Sequence, residues 1–127
     1  MIAERSSQVT GNVGLYYVCY QLAKRGWNAM PTSRNAKGVD IIIIYNHDAS
    51  KRHTIQVKSL TKKDAAVPLG RSLDSLQMND YLIICRSVST AQPEIFIAKP
   101  AEITYKILKK RIDEKGKTSY WFSSGEY

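Results

Sequence analysis

Val39-Asp40-Ile41-Ile42-Ile43-Ile44-Tyr45 is the strongest strand signal in the chain. Its isoleucines are β-branched and suit a pleated sheet. They run without alternation, which predicts burial on both faces and hence a central strand. The polar turn Asn46-His47-Asp48-Ala49-Ser50 follows. His53 to Leu60 then alternates, with His53, Ile55 and Val57 on one face and Thr54, Gln56 and Lys58 on the other. Two such runs joined by a short polar turn read as a β-hairpin.

Working outward, Ser7 to Arg25 reads as a helix, with Val13, Tyr16, Tyr17, Tyr20 and Ala23 near helical spacing. Lys24 and Arg25 suit its C-terminal dipole, and Gly26 is a natural stop. Gly11 and Gly14 would let that helix approach the sheet closely. Trp27 to Thr32 is a first strand, and Ser33 to Gly38 a polar loop. Thr61 to Asp80 reads mostly as loop, with a helical turn over Ser72 to Met78. Tyr81 to Arg86 and Glu94 to Ala98 are further strands. Pro100 opens a predicted helix to about Lys110, and Ser119 to Ser123 is a last edge strand. The expected architecture is α/β: a mixed β-sheet flanked by helices, in the order α-β-β-β-loop-β-β-α, as one domain over residues 1–127.

At 127 residues, with 43% apolar and 24% charged residues, the chain can bury a core without disulfides or structural metal. Cys19 and Cys85 lie in apolar runs and read as buried thiols of a reducing compartment. His47 and His53 flank a turn without a nearby Cys, so no zinc spacing is present. No stretch resembles a signal peptide or a membrane span, and a cytoplasmic protein is expected, with no membrane partner. Lys and Arg number 19 against 11 Asp and Glu, a net charge of +8. That excess biases the partner toward a polyanion, nucleic acid first.

Asp40 stands at the start of an apolar strand, where an ionised acid is costly unless it lies at the strand end or meets a cation. Gln56 and Lys58 are two apart on the next strand and share a face. Parity tests the grouping: pairs summing to 96 or 98 set Asp40 opposite Gln56 or Lys58, whereas 97 sets it opposite Val57 on the wrong face. Taken singly, Asp40 also reads as a turn-capping acid, Lys58 as a solvated edge lysine and Gln56 as a surface amide.

Gly38-Val39-Asp40-Ile41-Ile42-Ile43-Ile44 with Thr54-Ile55-Gln56-Val57-Lys58-Ser59 resembles the PD-(D/E)xK nuclease superfamily. The preceding helix, from Gly11-Asn12-Val13-Gly14-Leu15-Tyr16-Tyr17 to Gly26-Trp27, resembles the family's opening helix. Glutamine in place of the second motif's acid is similar to the Mrr-type and Holliday-junction-resolvase-like branches. The resemblance covers roughly residues 8–99. It implies a restriction-endonuclease-like fold, a DNA substrate and Mg²⁺ or Mn²⁺ as cofactor. It implies Asp40, Gln56 and the Val57 carbonyl as metal ligands, and Asp40, Gln56 and Lys58 as the catalytic set. Many members also carry a glutamate on the first helix; the matching place here is near Asn12 or Leu15, neither acidic. Gln8 and Asn12, one helical turn apart, could offer neutral oxygens there, and Asp74 or Asp80 could fold in from the loop.

Arg34 and Lys37 before Asp40, and Lys62 and Lys63 after Lys58, would flank the site as a phosphate-binding funnel. Lys106, Lys109, Lys110 and Arg111 read as a basic helix end complementing its dipole. Tyr16, Tyr17 and Tyr20 read as core packing rather than as a base-stacking platform, and Trp27 and Trp121 also read as core. The expected function is metal-dependent DNA endonucleolysis, on branched or foreign DNA. The alternative is a catalytically inactive nucleic-acid-binding module of the same fold. Cutting both strands of a duplex would take two sites, which points to a homodimer.

Overall fold

The computed structural model describes residues 7–33, 38–63, 65–103, 108–123 and 127. Helix α1 (Ser7–Lys24) leads into strand β1 (Trp27–Pro31), then β2 (Ile41–Tyr45) and β3 (Asp48–Ser59). Strand β4 (Val67–Gly70), a single helical turn α2 (Asp74–Gln77), β5 (Tyr81–Arg86) and β6 (Glu94–Ala98) follow. A 3₁₀ turn (Pro100–Glu102) and the hairpin of β7 (Leu108–Ile112) and β8 (Thr118–Phe122) complete the chain. The helix-flanked mixed sheet expected from the sequence is present.

Gly26 ends α1 at φ 92°, the left-handed turn that glycine adopts without strain. The chain then builds a five-stranded sheet in the order β1-β2-β3-β5-β6, antiparallel except for the parallel β3–β5 pair. Helix α1 covers one face through Val18, against Ile41, Ile43, Ile55, Ile83 and Cys85. Burial pushes the Cys85 thiol up to about 11. The other face carries Leu82 and Ile84, which pack on Val67, Leu69 and Phe122 of a second sheet and on Leu73 and Leu76 around α2. That second sheet has the order β4-β8-β7.

Several expectations need correction. Strand β2 is not buried on both faces: Ile41 and Ile43 are buried under α1, but Ile42 is 39% exposed because the second sheet lies over β5 rather than β2. The most buried strand is β5, with Leu82 to Cys85 all inside. No long helix follows Pro100. It opens a three-residue 3₁₀ turn, and Leu108–Ile112 is a strand because it pairs with β8 across a tight turn. The Asp113 carboxylate holds that turn by accepting from the Lys115 and Lys117 N–H groups, with Gly116 at φ 76°. Lys109, Lys110 and Arg111 therefore line an exposed edge strand, where charge discourages edge-to-edge pairing, rather than a helix end. Lys106 lies outside the described residues. Val67–Gly70, read as loop, forms β4. Tyr16 and Tyr20 are exposed, and Trp27 and Trp121 only half-buried.

Helix α1 comes close to the sheet at Gly14, where a methyl group would meet Ser59 Oγ and lie 2.7 Å from Ser59 Cβ. Ser59 Oγ also donates to the Gly11 carbonyl, at 3.3 Å. Gly14→Ala should cost about 1–3 kcal/mol in urea unfolding, the usual penalty of overpacking. Ser59→Gly in the same chain should recover much of it.

Candidate active site

The β2–β3 register decides what faces Asp40. Ile41 pairs with Ile55 and Ile42 with Thr54, so partner numbers in the ladder sum to 96, but Asp40 lies past its end and bonds the Ile55 carbonyl out of that register, so it lines a cleft with Lys58 and not with Gln56. The ladder's last pair is Ile41 with Ile55, and Asp40 stands one residue beyond it.

There Asp40 completes the ladder with both backbone and side chain. Its N–H donates to the Ile55 carbonyl at 3.0 Å, and its Oδ2 accepts from the Val57 N–H at 2.7 Å. A carboxylate thus takes the place of the strand carbonyl that Val57 would otherwise lack. On the other side the Asp40 carbonyl accepts from Thr32 N–H at 2.9 Å, while Thr32 Oγ1 donates to the Val39 carbonyl. Asn79, only 5% exposed, donates from Nδ2 to the Gly38 and Ser75 carbonyls. Gly38 sits at φ 83°, against Met78 Sδ and Ser75 Oγ, where a side chain would not fit. The Gly38–Asp40 segment is therefore held from β1, from β3 and from the α2–β5 connection. Thr32 and Asn79, which do this holding, gave no signal in the sequence beyond the end of the first strand and an ordinary polar loop residue.

Asp40 opens onto a cleft of about 320 Å³ between α1 and the ends of β2 and β3. Val57, Lys58 and Ser59 line the sheet side, and Gln8, Gly11, Asn12 and Leu15 line the helix side. Of the expected set, Asp40, Val57 and Lys58 come together, joined by the amides of Gln8 and Asn12. Gln56 does not line the cleft. It pairs with Leu82 on the face toward the second sheet, is 9% exposed, and its buried Oε1 has no hydrogen-bond partner among the described residues.

Asp74 and Asp80 do not supply the missing acid. Asp74 opens α2. Asp80 accepts from Thr54 N–H at 2.9 Å and lies 3.6 Å from His53 Nδ1, at the start of β5. Lys62 and Lys63 are exposed just past β3. The Lys63 carbonyl accepts from Arg86, and the Lys63 charge helps Arg86 hold the Glu94 carboxyl below its ordinary range. Arg34 and Lys37 lie outside the described residues. Among the described residues no ion pair joins Asp40 to Lys58, so the cleft holds one acid and one base that do not neutralise each other directly.

The lining residues bring oxygen-bearing side chains to the cleft: the Asp40 carboxylate and the amides of Gln8 and Asn12. This set suits a hard cation such as Mg²⁺, which is commonly held by one or two carboxylates together with substrate phosphates. Among the described residues no three His, Cys, Asp or Glu gather as a softer or stronger metal site would require. No described helix is long and apolar enough to cross a membrane. No protein-family model matches the chain, and no curated protein or solved structure matches it significantly.

Because the Asp40 carboxylate closes the ladder, its removal should be felt in stability. Asp40→Ala leaves the Val57 N–H unpaired and should cost about 1–3 kcal/mol in urea unfolding. Asp40→Asn, which keeps an acceptor oxygen, should retain most of that stability.

Proposed function

We propose that this protein is a metal-dependent DNA endonuclease of the PD-(D/E)xK type. The observation that carries the reading is the meeting of Asp40, Val57 and Lys58 in one cleft at the open end of the β2–β3 pair. Asp40 and the Val57 carbonyl would hold Mg²⁺ or Mn²⁺, with Gln8 and Asn12 as neutral donors from α1. Such a cation supplies polarisation of a phosphoryl oxygen and a more acidic water.

The chain's own residues do the rest. Lys58 presents a fixed positive charge to the phosphate as negative charge builds on it during hydrolysis, and can orient the attacking water. The backbone bonds around Gly38–Asp40 keep the carboxylate from drifting, which matters because misplacement of a catalytic group by an ångström is costly. Lys62 and Lys63, with Arg34 and Lys37, would bind flanking phosphates without reading sequence. Gln56 is left out of the ligand set.

A second reading, a non-catalytic nucleic-acid-binding module, draws on one specific fact. Among the described residues Asp40 is the only carboxylate lining the cleft, and its hydrogen bond to Val57 gives it a structural task. Cleavage of supercoiled plasmid and of a four-way junction, with Mg²⁺ or Mn²⁺, separates the two. The endonuclease reading expects metal-dependent nicking that falls by about a hundredfold or more in Asp40→Asn and in Lys58→Ala. Asp40→Asn is the better probe than Asp40→Ala, because it removes the charge and keeps the fold. Intact salt-sensitive DNA binding with no cleavage of either substrate would leave the binding module.

A further inference from the structure

Helix α1 packs on the sheet through Val18, Gly14, Tyr17 and Leu22, which leaves its opposite side in solvent. On that side Tyr16 is 59% exposed and Tyr20 58%. Residues four apart on a helix lie in one inclined row. Asn12, Tyr16, Tyr20 and Lys24 form such a row, about 18 Å from end to end at the helical rise. The row starts in the cleft, which Asn12 lines, and ends in a cation, with Lys24 Nζ 5.3 Å from the centre of the Tyr20 ring.

The charge of the helix and its flanking sequence has one sign. From Arg5 to Val39 the sequence contains no Asp or Glu, although 11 occur elsewhere. Arg25 stands just past the helix end, its guanidinium held by Gln21. A polyanion laid along α1 would meet cations and amides and no like charge from the helix itself. Exposed aromatic rings add a second requirement, a partner with flat faces to stack. Bases in a duplex are already stacked on one another, whereas those of a single strand can leave the stack for a protein ring.

We infer that the outer face of α1 is a binding surface for single-stranded nucleic acid, with Tyr16 and Tyr20 stacking on bases and Lys24 on the backbone. This rests on the endonuclease reading for its biological sense, since it makes the substrate a DNA with an unpaired arm leaving the cleft past Asn12. Its physical content can be measured without cleavage.

The test is fluorescence anisotropy with a labelled oligothymidylate in EDTA, for the wild type and for surface variants of the full chain. Tyr16→Ala and Tyr20→Ala should each weaken binding by about five- to a hundredfold, the usual range for one base–ring stack. Tyr16→Phe and Tyr20→Phe, which keep the ring, should bind like the wild type. Lys24→Ala should lower the slope of log affinity against log salt by about 0.7, the value for one phosphate on a single strand. Duplex affinity should be indifferent to the tyrosines. Unchanged oligothymidylate affinity in the Tyr16→Ala/Tyr20→Ala double variant would overturn the inference and turn attention to a protein partner for this face. Equal losses in the Phe and Ala variants, or on duplex and single strand, would overturn it as well. Ring-dependent binding without cleavage would uphold this surface and remove the endonuclease reading, whereas Asp40-dependent cleavage with indifferent tyrosines would do the reverse.

Discussion

The pairing of β2 with β3 in one register is the constraint on which the arrangement rests. Ile41 on Ile55 and Ile43 on His53 point the odd-numbered residues of both strands at α1. A slip of one residue would exchange the two faces of the hairpin strand that moved. Buried isoleucines would then face the second sheet or solvent, at about 1.5–3 kcal/mol for each side chain brought out of the core. The same slip would break the double contact of Asp40 with Ile55 and Val57. Core burial and the position of the Asp40 carboxylate are therefore two consequences of one register.

Much of this hairpin was legible in the sequence because its signals are local. Alternation from His53 to Lys58 sorts the faces, and β-branched runs bounded by polar residues mark β5 and β6 at the observed ends, Tyr81–Arg86 and Glu94–Ala98. The second sheet was not legible because its pairings are remote. Val67–Gly70 contains Pro68 and Gly70, poor strand residues, and becomes a strand only by pairing with β8 at the far end of the chain. Leu108–Ile112 is dominated by Lys and Arg, which carry no strand preference, and its pairing with β8 decides its form. The burial of β2 was misjudged for a related reason. Four isoleucines show that a strand is apolar, but which face is covered depends on where the second sheet lands.

At the cleft, residue types were legible and contacts were not. Asp40 and Lys58 could be grouped from strand spacing, whereas Gln8 and Asn12 were named through the resemblance and share one helical turn. Nothing local shows that Asn79 would reach the Gly38 carbonyl, or that the Asp40 carboxylate would be occupied by the Val57 N–H. The tyrosines illustrate the limit of periodicity. Tyr16, Tyr17 and Tyr20 all fit helical spacing, yet Tyr17 joins the core while Tyr16 and Tyr20 face outward, because the helix meets the sheet along Gly14 and Val18.

The glutamine at position 56 follows from the same geometry. Its side chain lies opposite Leu82, on a face closed by the leucines of the second sheet, and its oxygen is already short of a partner. A carboxylate there would be desolvated with no cation beside it, a far larger cost than that of an amide. Burial therefore favours a neutral residue at position 56. The consequence falls on Asp40. With position 56 neutral and the helix side offering amides, a single carboxylate faces the cleft among the described residues, and it is shared with the Val57 N–H. Under the proposed endonuclease reading, a cation held there would draw much of its negative field from the phosphates of the substrate. Affinity for metal and affinity for substrate would then be coupled, each raising the other through the same few oxygens.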